Sequence, residues 1–288
     1  MATTTGTPFL TARTVRAAAA SPSRPLDPRL PQIAALASLL AYGLLRLDLE
    51  VGPARAAIIL ATALATQYAC TRAWRLSAFD PRSALISGLS LCLLLRTSST
   101  ALAMAGAVLA LTSKFVVRVR GKHVFNPTNF ALVALLLTGQ AWVSPGQWGN
   151  AALFGFLLAC AGSVVATRAA RADVTLAFLL AYAGLVFGRS LQLGEPMAIP
   201  IHRLENGALL IFAFFMISDP RTTPDRRAGR VLFAVLVALG GAFVQFRLFR
   251  TNGLLWSLAA CAPLVPLIDR VLAAPRHRWP AEPLRRSA

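Results

Sequence analysis

Apolar and polar residues alternate along this chain in blocks. Ten apolar runs occupy residues 32–49, 54–71, 84–95, 101–117, 130–143, 152–167, 174–188, 206–218, 231–246 and 254–272, separated by short clusters rich in arginine, proline, serine and threonine. Helices that are apolar on all sides have no face to offer water, so the pattern predicts helices bathed in lipid. The first, second, fourth, ninth and tenth runs approach or reach the roughly 17–25 residues that a lipid-crossing helix needs. Runs 84–95, 130–143 and 206–218 have only 12, 14 and 13 residues. A helix of 13 residues covers about 20 Å, against a hydrocarbon core of about 30 Å. These three read either as broken or re-entrant helices buried in a bundle, or as full spans whose ends extend past the apolar stretch. The expected fold class is all-α: a polytopic membrane protein of about ten transmembrane or interrupted helices over residues 31–272.

Composition supports lipid as the surroundings. Hydrophobic residues make up 56% of the chain and charged residues 14%, where a soluble domain carries about 25% charged residues. The net charge of +18 would suggest nucleic acid in a soluble protein, but the cations lie between apolar runs and accompany no nucleic-acid-binding module. Basic loops against anionic lipid explain them better. If all ten runs cross and the N-terminus is cytoplasmic, inner loops and tails hold 22 of the 29 basic residues. The expected setting is thus the bacterial cytoplasmic (inner) membrane, with both termini inside. Residues 1–30 and 273–288 read as cytoplasmic tails, the first disordered, with no signal-peptide pattern. Trp142, Trp148 and Trp279 suit interfacial positions. The four cysteines and three histidines are scattered, which predicts no metal site.

Candidate chemistry concentrates in two stretches. In TSKFVVRVRGKHVFNPTNFALVALLL, residues 112–137, the cations Lys114, Arg118, Arg120 and Lys122 precede His123, Asn126, Pro127, Thr128 and Asn129. Thr128 or Asn129 would cap a helix starting near Phe130, with Pro127 marking the break. A helix N-terminus beside cations suits a phosphate, a carboxylate or a ring oxygen. The plainer alternative is a topogenic loop with a cap, although buried amides in a membrane need partners. In ISDPRTTPDRRAGR, residues 217–230, Ser218 and Asp219 end an apolar run and Thr222 lies in the loop after Pro220. Asp219 is either a loop carboxylate paired with Arg221 or a ligand-orienting group. Asp80-Pro81-Arg82 before one short run and Asp219-Pro220-Arg221 after another echo each other in swapped order, as inverted halves 31–143 and 152–272 would produce. No catalytic constellation is evident, and carboxylates almost never fall within the runs.

The blocks SALISGLSLCLLL at 83–95, GKHVFNPTNFALVAL at 121–135 and FAFFMISDPRTTP at 212–224 resemble the membrane family that contains NqrB and RnfD. Within it they look closest to the divergent branch with the UnbU-type proteins of enediyne clusters. The resemblance implies about ten helices in two inverted halves, flavin near the membrane, electron transfer and partner redox or membrane subunits. In characterised subunits a threonine of a Ser-Gly-Ala-Thr motif carries FMN through a phosphoester. This chain lacks that motif; its nearest region, 168–205, offers Thr175 in RADVTLAF and Ser190 in GRSLQLGEP. The implied cofactor is therefore noncovalent flavin, FMN or riboflavin. Lys114, Arg118 and Lys122 would face a phosphate, Asn126 and Asn129 the isoalloxazine edge, and His123, Thr128, Ser218, Asp219 and Thr222 complete the candidate site. A transporter or permease for a small metabolite is the rival reading, and an accessory scaffold the third.

Overall fold

The computed structural model describes residues 27, 29–46, 51–145 and 171–276, with helical positions 155, 157–159, 161, 162, 164 and 165 between them. The sequence expectations for the remaining tails, for Trp148 and Trp279, and for half of the run 152–167 lie outside the described residues. Helices dominate: α1 (Arg29–Arg46), α2 (Pro53–Ala73), α3 (Arg82–Leu94), α4 (Thr100–Val116) and α5 (Pro127–Leu136) come first. After the positions at 155–165 follow α6 (Ala172–Leu193), α7 (Ala198–Leu204), α8 (Gly207–Ile211), α9 (Arg227–Phe246), α10 (Gly253–Cys261) and α11 (Val265–Val271). A π-helical turn, Phe212–Met216, continues α8, and a 3₁₀ turn joins α10 to α11.

Among the described residues, three helices are long and apolar enough to cross a membrane: α6, α9 and the continuous segment Gly253–Val271. The pair α7 and α8, bent by 51°, makes a fourth if counted as one broken span. Helices α1 and α2 have the length, at 18 and 21 residues, but arginine, glutamine and tyrosine dilute their apolar surface. The short runs are short in space too: α3 and α5 have 13 and 10 residues.

Two small antiparallel ladders depart from a purely helical reading. Strands β1 (Leu95–Thr97) and β4 (Ala141–Val143) pair Arg96 with Trp142, so the ends of runs 84–95 and 130–143 leave their helices as strands. Backbone that stops being helical must still find partners, and two chain ends meeting at the same level satisfy each other. Strands β2 (Arg118–Val119) and β3 (Lys122–His123) form a hairpin through Arg120 and Gly121, both at positive φ.

Packing pairs α2 with α4, α4 with α5 and α1 with α3 in the first part of the chain, and α6 with α9 and α9 with α10 in the second. Contact between α5 and α10 joins the two parts. Lipid gives helices little hydrophobic reason to associate, so close backbone approach at small residues matters. A Cβ added to Gly253 would lie 2.6 Å from the Gly241 carbonyl oxygen, and one at Gly88 would lie 2.9 Å from a Leu60 methyl. Phe178, Phe212 and Phe233 fill the interior between these contacts.

One end of the bundle is basic. Arg72, Arg75, Arg118, Arg120, Arg221, Arg226, Arg227, Arg270 and Arg276 are exposed there, at the C-terminal ends of α2, α4 and α11 and the loop before α9. The opposite end carries Trp142 and the start of α10.

Candidate functional site

Pro127 at the first position of α5 needs no hydrogen-bond partner for its nitrogen, and Asn126 just before it caps the helix by accepting from the Asn129 amide at 3.1 Å. The cap is thus Asn126, and the helix starts three residues before the expected Phe130. Proline's fixed φ suits the first turn, so Pro127 opens the helix and does not mark a break ahead of it. The Asn126 Nδ2 then donates to the Met216 carbonyl at 3.3 Å, and Asn129 Nδ2 donates to the Leu255 carbonyl at 3.2 Å. The first turn of α5 is bolted to the π-helical turn on one side and to α10 on the other. Thr175 braces the same π-helical turn, donating to the Ala213 carbonyl, and Ser218 donates to that of Phe214.

These contacts bring the two sequence stretches together around a cavity of about 240 Å³ at the basic end. Of the ten candidate residues, Lys114, Arg118, His123, Asn126, Thr128, Ser218 and Asp219 line it. Lys122, Asn129 and Thr222 do not. Lys122 turns away, donating to Asp269 and to the Thr223 carbonyl, both at 2.8 Å, with Asp225 at 3.2 Å. Its amine is neutralised by two carboxylates, so the expectation that it faces a phosphate is corrected. Thr222 bonds the Asp219 carbonyl within its own loop, and Asn129 faces α10.

Charge in the cavity is poised. Lys114, 4% exposed, donates to Ser83 Oγ at 2.9 Å and makes no ion pair among the described residues. Asp219 likewise pairs with no cation among the described residues; it accepts from the Arg221 backbone amide at 2.9 Å, while the Arg221 side chain is exposed. Burial holds the Asp219 carboxyl above the ordinary carboxylate range, against the pull of that backbone bond and of the Arg221, Lys114 and Arg171 charges. Burial, then the Arg118, Arg221 and Lys114 charges, push the His123 imidazole down to about 3. His123 is therefore neutral, and its buried Nδ1 has no hydrogen-bond partner among the described residues.

Two residues at the mouth, Asp27 and Arg29, fall in the stretch 1–30 that the sequence reading placed in a disordered tail. Asp-Pro-Arg occurs three times, at 27–29, 80–82 and 219–221. Asp27, Arg29, Asp80 and Arg82 close a reciprocal ring: Arg29 to Asp80 at 2.5 Å, Arg82 to Asp27 at 2.7 Å, and each arginine to its own aspartate. Burial would raise the Asp27 and Asp80 carboxyls, but hydrogen bonds from Arg29 and Arg82 outweigh it and hold both below the usual range. Gln67 of α2 and Ser83, Ser87 and Ser90 of α3 complete the wall. The serines were legible as a face, at i, i+4 and i+7 on a helix.

A second cavity, about 490 Å³, lies at the opposite end between Trp142, Tyr182, Arg203, Asn206, Phe212, Gln245 and Asn252. It shares a wall with the first: Met216, which accepts from Asn126, lines the larger cavity. The two hydroxyls nearest to a covalent flavin anchor in sequence are both buried and engaged, Thr175 with Ala213 and Ser190 with Glu195 at 2.7 Å.

A mostly helical protein with apolar helices of membrane-crossing length, a π-interrupted helix and a cavity at either end belongs to the class of polytopic membrane proteins. Residues 136–277 match the NQR2, RnfD, RnfE family, a stretch that includes the block at 212–224. Among curated proteins the chain is similar to the D subunit of the ion-translocating oxidoreductase complex of Tolumonas auensis, 40% identical over 75 residues, covering 25% of this chain and 21% of that protein. The same subunit of Erwinia tasmaniensis is 29% identical over 136 residues (46% and 36% of the two chains), and that of Escherichia coli K12 28% over 158 residues (54% and 42%). The chain spans less than half the length of these relatives.

Proposed function

We propose that this protein is a membrane subunit of an RnfD-type, ion-translocating oxidoreductase assembly and holds a noncovalent flavin in the cavity at its basic end. The observation that carries this reading is the convergence of the GKHVFNPTN and ISDPR stretches on one cavity with buried polar groups that lack partners among the described residues. A flavin bound there would supply one- and two-electron carrier chemistry. The residues fit such a group. Lys114 offers a cation to an electron-rich ring carbonyl, and Asp219 offers an acceptor to a ring N–H. Thr128 adds a hydroxyl, while Phe214 and Phe215 supply apolar wall. The volume lies just below the roughly 300–1,000 Å³ of small-molecule sites, and the mouth opens it further. Noncovalent attachment follows from the missing threonine motif and from the engagement of Thr175 and Ser190.

The same reading includes about ten passes in two inverted halves, with the basic end and both termini on the cytoplasmic side of a bacterial inner membrane. It is supported by the matching packing pairs, α2 with α4 and α6 with α9, and by the exposed arginines of the basic end, which outnumber those exposed elsewhere (Arg46, Arg247 and Arg250) among the described residues. Other subunits of such a complex would be its partners. A transporter reading draws support from one feature, the shared Asn126–Met216 wall between cavities at opposite ends. Substitution separates the candidate cations. Lys114→Met should weaken flavin retention about tenfold, as loss of a charge-assisted bond of roughly 1.5–3 kcal/mol predicts, whereas Lys122→Ala should leave it within twofold. Equal loss in both, measured by flavin fluorescence titration of folded protein in detergent, would contradict the assignment.

A further inference from the structure

The last turn of α2 carries cations that no other part of the fold uses. Arg72 and Arg75 are exposed, and neither side chain makes a hydrogen bond or an ion pair among the described residues. The helix end does not need them. Its carbonyls at Cys70, Thr71 and Arg72 already accept from the backbone amides of Trp74, Leu76 and Arg75, at 2.9, 3.0 and 3.1 Å. Arg75 makes this turn at φ 50°, a left-handed conformation that glycine takes without strain. An arginine in that place puts a guanidinium beyond the helix end against a steric penalty. The next carboxylate along the chain, Asp80, is committed to Arg29 and Arg82.

Aromatic side chains join these cations to the neighbouring helix. Trp74 lies against Phe115 of α4 with ring centroids 5.4 Å apart, and the Arg118 guanidinium stands 5.3 Å from the same Phe115 ring. Tyr68 meets Phe79 edge-on at 5.8 Å. Tyr68, Trp74, Leu76, Phe79 and Val116 are all 43–62% exposed. Such a group suits the headgroup level of a bilayer, where amphipathic rings and arginines both find partners. Farther from the helix end, α2 turns one face outward: Ile58, Ala61, Ala65, Tyr68 and Arg72 follow at steps of three and four residues. From Tyr68 back to Ile58 this face runs about 15 Å, half of a hydrocarbon core of about 30 Å. Helix α4, packed against α2, likewise exposes Met104, Val108 and Val116. Arg118 and Leu76 also stand at the mouth of the basic-end cavity, but Tyr68, Arg72, Trp74 and Arg75 do not line it.

We infer that this surface binds one anionic phospholipid, its phosphate on Arg72 and Arg75 with Arg118 adding charge, and an acyl chain along the outward face of α2. Guanidinium forks match the oxygens of a phosphate. An ammonium in the headgroup would find no carboxylate to receive it here, so a headgroup without a cation is favoured. An acidic peptide could use the charge but not the apolar face that continues from it.

Native mass spectrometry of the full chain in detergent counts bound lipid directly. Titrations would use dioleoylphosphatidylglycerol, dioleoylphosphatidylcholine and inorganic phosphate, with a polyglutamate peptide as competitor. The proteins would be wild type, Arg72→Gln with Arg75→Gln, Arg75→Gly, and a control, Arg270→Gln with Arg276→Gln, that removes two exposed arginines of the same end. Wild type should bind one phosphatidylglycerol about tenfold more tightly than phosphatidylcholine and should not retain inorganic phosphate. The variant lacking Arg72 and Arg75 should bind the two lipids within twofold of each other, and the control should keep the preference. Arg75→Gly guards against misfolding. Glycine suits φ 50°, so its thermal midpoint without lipid should equal or exceed that of wild type while its lipid preference falls at least threefold. Equal losses in the two double variants would reduce the site to a general attraction of the basic end and overturn it. So would a wild type with no preference between the lipids, inorganic phosphate bound as tightly as phosphatidylglycerol, or polyglutamate displacing the lipid.

Discussion

His123 shows how one side chain ties the site to stability. Its imidazole is held down to about 3 by burial and by the Arg118, Arg221 and Lys114 charges, whereas an unfolded chain protonates it near 6.5. The unfolded state therefore binds the extra proton first as pH falls. The stability linked to His123 is complete above about pH 6.5 and is lost progressively toward pH 3. His123→Gln should remove this slope: relative to its own value at pH 7, the variant should lose about 2 kcal/mol less than wild type at pH 5. Thermal unfolding in detergent across that range checks it, and parallel curves would contradict the neutral, buried imidazole. That Lys114, His123, Asn126 and Asp219 line one cavity agrees with the expectation that cations and amides beside apolar runs meet in the interior. Lys122 was misread for a physical reason. Its neutralisation by Asp225 and Asp269 depends on residues about a hundred or more positions away, which no local pattern reveals. Gln67 was missed because a single amide within an apolar run carries no spacing signal.

Among the helices and strands, the apolar pattern located most helices but blurred their ends. Run 130–143 contains both α5 and β4, since alanine, leucine, tryptophan and valine serve either conformation in a buried place. The π-helical turn at Phe212–Met216 was likewise invisible in FAFFM, because the contacts that brace it come from Thr175 and Asn126 on other helices. Packing between α9 and α10 rests on contacts that permit no added carbon. Gly253→Ala would set a Cβ 2.6 Å from the Gly241 carbonyl oxygen, a backbone atom that cannot swing aside. The expected outcome is a loss of about 1–3 kcal/mol, the usual cost of overpacking, read as a lower midpoint of thermal unfolding. A Gly52→Ala control, with nothing within 4 Å, should stay near wild type. Equal midpoints for all three proteins would contradict the close α9–α10 contact.

For the protein entire, charge asymmetry and helix direction make one claim about orientation. Reporter domains active only outside the cytoplasm should be silent when fused after residue 288 and active when inserted near residue 147. A signal from the C-terminal fusion would contradict both cytoplasmic termini and the even number of passes. The expectation rests on the sequence pattern because lipid imposes the same rule on every crossing. The pattern was uninformative about which distant segments meet: the cavity walls combine α2 and α3 with residues after α8, far apart in the chain. Whether the chain holds a flavin without a covalent bond is decided by an absorption spectrum of the detergent-purified protein, expressed with its native partners, before and after acid precipitation. Flavin absorption should be present and should pass entirely into the acid supernatant. Flavin colour that stays with the precipitated chain, or a folded protein with no flavin absorption, would contradict noncovalent flavin binding.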